Sequence, residues 1–322
     1  MGGGLMELVA KANQDTYLTG NPQITFIKSI YKRHTNFSVE TIEEPLPSQI
    51  DFGAKNAQCI ISRKGDLINK MYLKVTLPSA TSLIQSTNST YANWVNNIGH
   101  ALIKEVRFLI GSTKIDSHIS EWFDVWNELT DVNHDEWDLI GKKVDKRELK
   151  IKQSNKTEYY IPLRFWFTKN IGLSLPLIAL QYQEIKLQFD IRQLSELITT
   201  DGTNVTSIGT LDDIRLFIDY IYLDEPERTQ VAQSSHEYLI EQLQFQKFDD
   251  IGQGHNEINL EFYHPIKELI WVFRHKKRID ETNTPALNLK QSDINGNDIF
   301  NYSGTTINNT LGLNTYDIFS SS

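Results

Sequence analysis

Cysteine occurs once in the 322 residues, at Cys59, so no disulfide can form within the chain. That usage fits a reducing compartment such as the cytosol. Basic residues are outnumbered, 32 Lys and Arg against 41 Asp and Glu, for a formal net charge of −9. A protein built to hold nucleic acid presents a basic face, so the balance counts against that class. Long apolar runs are missing as well: none approaches the ~18 residues that span a bilayer. The first residues, "MGGGLMELVAKANQD", have neither a basic n-region nor an apolar core and do not read as a secretory signal. Gly2 invites a myristoylation reading, but Met6 stands where that motif wants Ser or Thr. There is no Gly-rich phosphate loop, no Cys pair for zinc and no His-Glu-x-x-His. These absences remove the common nucleotide and metal chemistries.

What is present is ordinary globular material. Hydrophobic residues make up 39% of the chain, enough for sizeable cores, and the length suggests two domains. Short runs rich in β-branched and aromatic residues recur at 23–31, 70–77, 101–110, 159–167, 184–191 and 214–223. "KMYLKVTL" (70–77) alternates, with Met71, Leu73, Val75 and Leu77 opposite Tyr72, Lys74 and Thr76. "EIKLQFDI" (184–191) does the same, and period two is that of a half-buried strand. Gly111-Ser112-Thr113 predicts a hairpin turn. One stretch, "SEWFDVWNELT" (120–130), has helical spacing: Trp122, Phe123, Trp126 and Leu129 share a face, with Ser120 as N-cap. Many short strands with little helix predict an all-β sandwich or barrel.

Residues 78–98, 131–157 and 195–212 read as long polar loops, and such loops carry surface contacts. Residues 224–235, "DEPERTQVAQSS", lack any apolar period and read as an interdomain linker. Beyond it the chain repeats itself. "IKEVRFLI" (103–110) and "IKELIWVF" (266–273) share Ile-Lys-Glu and then match apolar for apolar, except Arg107 against Ile270. Each copy is followed by a Gly-centred turn, which points to a duplicated β domain.

Little residual chemistry stands out. "NHDEWD" gathers His134, Asp135, Glu136 and Asp138 as a possible metal cluster, beside the plainer reading of a solvated loop. A metal-holding sandwich enzyme of the cupin kind needs a His-x-His pair, and none of the eight histidines is so placed. Ser235 and His236 are adjacent, but neighbours on a strand point to opposite faces. Six Asn-x-Ser/Thr sequons (Asn36, Asn88, Asn155, Asn204, Asn301, Asn308) read as polar loop composition. No catalytic, cofactor-binding or metal-binding residue is assigned, and no cofactor is expected. A basic cluster near the start, Lys32-Arg33-His34, could bind phosphate, act as a targeting signal or lie on a strand.

Three blocks decide among these. "DTYLTGNPQITFIKSIYKRHTNFSVETIE" resembles the start of the major capsid proteins of nucleocytoplasmic large DNA viruses. "IPLRFWFTKNIGLSLPLIALQYQEIKLQFDI" (161–191) resembles the end of that family's first jelly roll. "HEYLIEQLQFQ" with "HPIKELIWVFRH" (264–275) resembles the opening of its second. The blocks are ordered and spaced as in the family and take in nearly the whole chain.

The resemblance implies a double jelly roll, two eight-stranded antiparallel sandwiches side by side. It divides the chain into an N-terminal arm (1–22), a first jelly roll (23–223), a linker (224–235) and the start of a second jelly roll (236–322). The tail after Phe300 is too short and too polar to supply that second domain's remaining strands, so its sandwich is expected to be incomplete here. The function implied is structural: a non-enzymatic major capsid protein forming trimeric, pseudo-hexameric capsomers that tile an icosahedral shell. Two similar domains in each of three chains give six similar wedges. The partners implied are two further copies, neighbouring capsomers and minor capsid proteins beneath the shell. No direct nucleic-acid contact is implied, and contact with the inner membrane is indirect at most. The place implied is the virion capsid, after synthesis in the host cytoplasm. The basic cluster then falls on an early edge strand, Ile24, Phe26 and Ile30 inward, Lys28 and Lys32 outward, with Arg33 and His34 free to pair with carboxylates. The alternative function is a minor capsid or lectin-like surface jelly roll that binds glycans.

Overall fold

A computed structural model describes residues 13–22, 35–47, 50–87, 92–130, 135–143, 155–200, 203–207, 209–248, 255–273, 299–300 and 302, with positions 3, 6, 9 and 10. The predicted strand at 23–31 and the cluster Lys32-Arg33-His34 lie outside the described residues.

Two antiparallel sheets face each other. The first joins β1 (Phe37–Glu44), β13 (Asp213–Leu223), β3 (Leu67–Leu77) and β8 (Thr157–Pro162) in that order, with the short β9 (Leu175–Pro176) also beside β3. The second joins β2 (Ala57–Ile60), β10 (Ile185–Ile191), β6 (Ile103–Ile110) and β7 (Thr113–Ile119). Neighbours in each sheet come from distant parts of the sequence, β1 with β13 and β2 with β10, so the sandwich closes only when the ends of the segment meet.

The alternation of period two sets which side chains are inside. Met71, Leu73, Val75 and Leu77 of β3 are buried, as are Ile185, Leu187, Phe189 and Ile191 of β10. Opposite them, Leu216, Ile218 and Tyr220 of β13 complete the first sheet's inner face. Gly111, at a φ of 63°, makes the left-handed turn that the β6–β7 hairpin requires.

Two sequence expectations are corrected, and the linker stretch gains a secondary structure. The run 159–167 is a strand only to Pro162; Trp166–Thr168 forms a 3-10 turn that drives Phe165, Trp166 and Phe167 into the core around Phe108. Segments 78–98 and 195–212 are not wholly irregular. β4 (Ile84–Thr87) pairs with β12 (Thr203–Ser207), and β5 (Ala92–Trp94) with β11 (Ile198–Thr200). Ala92 and Trp94 of β5 are buried on its inner side, and Val95 just beyond the strand is buried too. Finally, the linker stretch contains a helix, Glu225–Gln233, with Asp224 accepting from the Glu225 N–H at 2.9 Å and Pro226 in its first turn. It buries none of its residues, so it carries no apolar period to be read.

Candidate assembly surfaces

The helix Ser120–Thr130 closes one end of the sandwich, but not with the face expected. Ser120, Phe123, Asp124 and Asn127 are the buried positions; Trp122 and Trp126 are half-buried, and Leu129 is 56% exposed. Both faces obey helical spacing. The inner one contains three polar side chains because the sandwich end supplies partners for them. Asn97 Nδ2 donates to Asp124 Oδ1 at 2.7 Å and lies 3.1 Å from His100 Nδ1. Arg192 Nη2 donates to Ser120 Oγ at 2.6 Å, so that hydroxyl is engaged in the interior. Trp122 and Trp126 stack on each other outside, 5.1 Å between centroids, with Lys169 Nζ over the Trp126 ring at 5.1 Å.

Burial governs the charges in this region. It pushes His100 down to about 3, aided by the positive charges of Lys142 and Arg164. It pushes Asp124 up, against the pull of Lys142, Asn97 and Tyr302. It pushes Lys142 down, against the attraction of Asp124. At the opposite pole, Glu44 accepts from Tyr220 Oη at 2.6 Å and Ser62 Oγ at 2.7 Å and pairs with Lys64 at 3.0 Å. Burial raises its pKa, but these bonds outweigh burial and hold it below the ordinary carboxylate value. Burial raises the lone thiol, Cys59, to about 11, so it stays protonated and packs as an apolar group.

The "NHDEWD" residues are not brought together as ligands. His134 lies outside the described residues, and Glu136 takes hydrogen bonds from Arg164 and from Asn127 Nδ2, the latter at 3.1 Å. Among the described residues no group of three or more His, Cys, Asp or Glu side chains is placed to hold a metal. No helix is long and apolar enough to cross a membrane, again among the described residues. Two shallow grooves of about 280 and 490 Å³ flank the fully exposed Tyr182; the charged groups on the larger one, Glu184 and Lys186, are spent on each other in an ion pair at 2.7 Å.

The molecule instead offers edges and apolar surface. Among the described residues β1 and β2 are edge strands, and Phe37, Val39 and Ile60 on them are exposed. The edge of β7 is partly taken by the chain beyond the linker: Leu243 N donates to Asp116 Oδ1 at 3.1 Å, and Asp116 Oδ2 lies 3.1 Å from His118 Nε2. Further on, the side-chain amides of Gln244 and Gln246 each give and take a hydrogen bond with the backbone of Tyr263 and Glu261 respectively. Trp271, Phe273 and Tyr263 are all more than 60% exposed. The second copy of the repeat, 266–273, thus carries the apolar pattern of β6 without β6's strand pairing. Most of its following turn lies outside the described residues, although Ile299 packs into the core of the first sandwich.

The family model described as "Major capsid protein N-terminus" matches residues 25–224. That described as "Large eukaryotic DNA virus major capsid protein" matches 227–321. The chain belongs to the major capsid protein family of large eukaryotic DNA viruses. It is 39% identical over 335 residues to the major capsid protein of Phaeocystis pouchetii virus, covering 94% of this chain and 64% of that one. Against the major capsid protein of Pyramimonas orientalis virus the identity is 46% over 278 residues, covering 84% and 65%. Among solved structures it resembles the quasi-atomic model of the PBCV-1 virus capsid, with a TM-score of 0.54 and 34% identity over 68% of this chain and 50% of that chain. The all-β fold is therefore that of the double jelly-roll capsid proteins. The chain spans just under two thirds of the length of these two curated relatives and half that of the solved chain.

Proposed function

We propose that this major capsid protein is a non-enzymatic shell subunit, three copies forming a pseudo-hexameric capsomer that tiles an icosahedral virion. The observation that carries the reading is the match of both family models in order along the chain, on a sandwich whose edges and whose segment 236–273 leave apolar side chains uncovered. The division into arm (1–22), first jelly roll (23–223), linker (224–235) and second jelly roll (236–322) belongs to the same proposal. So do the finer partners: neighbouring capsomers and minor capsid proteins beneath the shell. Synthesis takes place in the host cytoplasm, and the absence of any assigned catalytic, cofactor or metal site follows from a structural role. Assembly then rests on apolar burial, for which obligate interfaces bury well over ~2,000 Å². Sedimentation velocity of the purified chain tests this. A compact trimer unaffected by EDTA is expected. A monomer that binds glycan arrays would assign the chain to surface recognition instead.

A further inference from the structure

Lys142 is the most enclosed lysine near the sandwich end, its side chain 6% exposed. Its ammonium is in contact with the Glu128 carboxylate and lies 3.8 Å from Asp124 Oδ1. The Trp137 ring sits beneath it, Nζ 4.8 Å from the centroid. Asp124 and Glu128 are one helical turn apart on Ser120–Thr130, so both carboxyl groups reach the same amine. The opposite side is equally fixed. Lys142 N donates to Trp137 O at 2.9 Å, Asn97 N donates to Gly141 O at 3.2 Å, and Gly141 is left-handed at φ 74°.

An ion pair needs one carboxylate, and this amine has two with different surroundings. Asp124 is buried and receives a hydrogen bond from Asn97 Nδ2 at 2.7 Å, which polarises its carboxyl group. Glu128 is more open, its side chain 28% exposed, and touches the amine directly. We propose that these three side chains form an autocatalytic cross-link site, in which Lys142 Nζ condenses with Asp124 Cγ to an isopeptide amide and Glu128 moves the protons. Burial favours the neutral amine of Lys142 and the neutral acid of Asp124, the two forms that condense.

The step balances without an oxidant or a further reactant. Glu128 takes a proton from the Lys142 ammonium, and the freed lone pair attacks Asp124 Cγ. The Nζ–Cγ bond forms, and one Cγ–O bond breaks. The leaving hydroxyl departs as water after receiving a proton through Glu128, which ends protonated and re-equilibrates with solvent across its exposed edge. Held in place by helix and turn, the reacting groups need little further ordering. The product ties residue 124 to residue 142. It would constrain the unfolded chain as a disulfide does, in a protein whose single cysteine rules out a disulfide within the chain.

The test is the intact mass of the denatured full-length chain, beside Lys142→Arg as the uncross-linked reference. The wild type should be lighter than its sequence requires by one water, and the variant should have its full sequence mass. Proteolysis of the wild type should yield a branched peptide joining Asp124 to Lys142. Glu128→Gln should remain largely uncross-linked while keeping the wild-type circular dichroism spectrum. Full linear mass in folded wild-type protein after prolonged incubation overturns the proposal. A branch at Glu128 in place of Asp124, or complete cross-linking in Glu128→Gln, overturns the assignment of roles. If either variant fails to fold, the wild-type mass and peptide map decide alone.

Discussion

Lowering the pH should loosen the sandwich end through His100. The ring is 2% exposed, stacked on Phe123 with 5.6 Å between centroids, and its Nδ1 faces Asn97 Nδ2 at 3.1 Å. Burial and the charges of Lys142 and Arg164 bring its pKa down from 6.5 to about 3. A histidine whose folded pKa is depressed gives its full stability above the unfolded value, and that stability is lost as the pH falls from 6.5 towards 3. Each pH unit in this window removes about 1.4 kcal/mol, so the loss between pH 7 and pH 5 is about 2 kcal/mol. In chains that keep the free Asp124 carboxyl, that group acts with the opposite sign: its folded pKa is raised, so the folded chain takes that proton more readily and regains part of the loss. His100→Gln keeps an acceptor for Asn97 and removes the titration. Urea unfolding at pH 7, 6 and 5 measures the effect. The wild type should lose about 2 kcal/mol more than the variant across that range. Parallel pH profiles for the two proteins would refute a neutral buried imidazole.

Other perturbations probe different parts of the fold. Tyr220→Phe removes a hydrogen bond to the buried Glu44 carboxylate and should cost about 1.5–3 kcal/mol in urea unfolding at pH 7; that difference should shrink as acid protonates Glu44. Gly141→Ala forces a left-handed Ala whose Cβ would lie 2.6 Å from Tyr159 Cε1 and 2.8 Å from Ile98 Cγ2. It should lower the thermal midpoint and cost more than the ~1–2 kcal/mol of the backbone term alone. Trp126→Ala should cost less than the ~3–5 kcal/mol of a fully buried Trp, because its side chain is only partly buried; a change below 1 kcal/mol would mean that the stack on Trp122 contributes nothing.

The strands were legible wherever one side of a segment faces the core and the other does not. β10 alternates residue by residue, and in β3 the inward set read from the sequence (Met71, Leu73, Val75, Leu77) is buried, with Thr76 of the other side buried as well. The β6–β7 turn was legible from Gly111, since few residues other than glycine sit comfortably at its φ. The polar network beneath Ser120–Thr130 was not. Its members come from three separate stretches, Asn97 with His100, Asp124, and Lys142, and are held together by contacts with one another. Hydrophobic periodicity assigns such residues outward, and so it chose the face of Trp122 and Leu129. The pairing of β5 with β11 was hidden for a related reason. Long-range partners of three-residue strands leave no local period, and the Ser, Thr and Asn between them resemble a loop. Family resemblance, in contrast, was legible over nearly the whole chain, because it depends on order and spacing and needs no knowledge of contacts.

The strand pairs β4–β12 and β5–β11 also restrict how this surface can vary. Trp94 faces Ile198 and Ala92 faces Thr200, while Thr87 faces Thr203 and Ile84 faces Ser207; the register differs by two residues between Ala92–Thr200 and Thr87–Thr203 and shifts by one more within β4–β12. The two stretches therefore behave as a zipper whose halves are encoded about a hundred codons apart. A residue inserted into one half shifts every later pairing and turns inward-facing side chains outward, unless the other half shifts with it. Point substitutions on the outer side of the ribbon carry no such penalty. Drift under pressure from a host should proceed by side-chain replacement at fixed length, with insertions arriving as matched pairs.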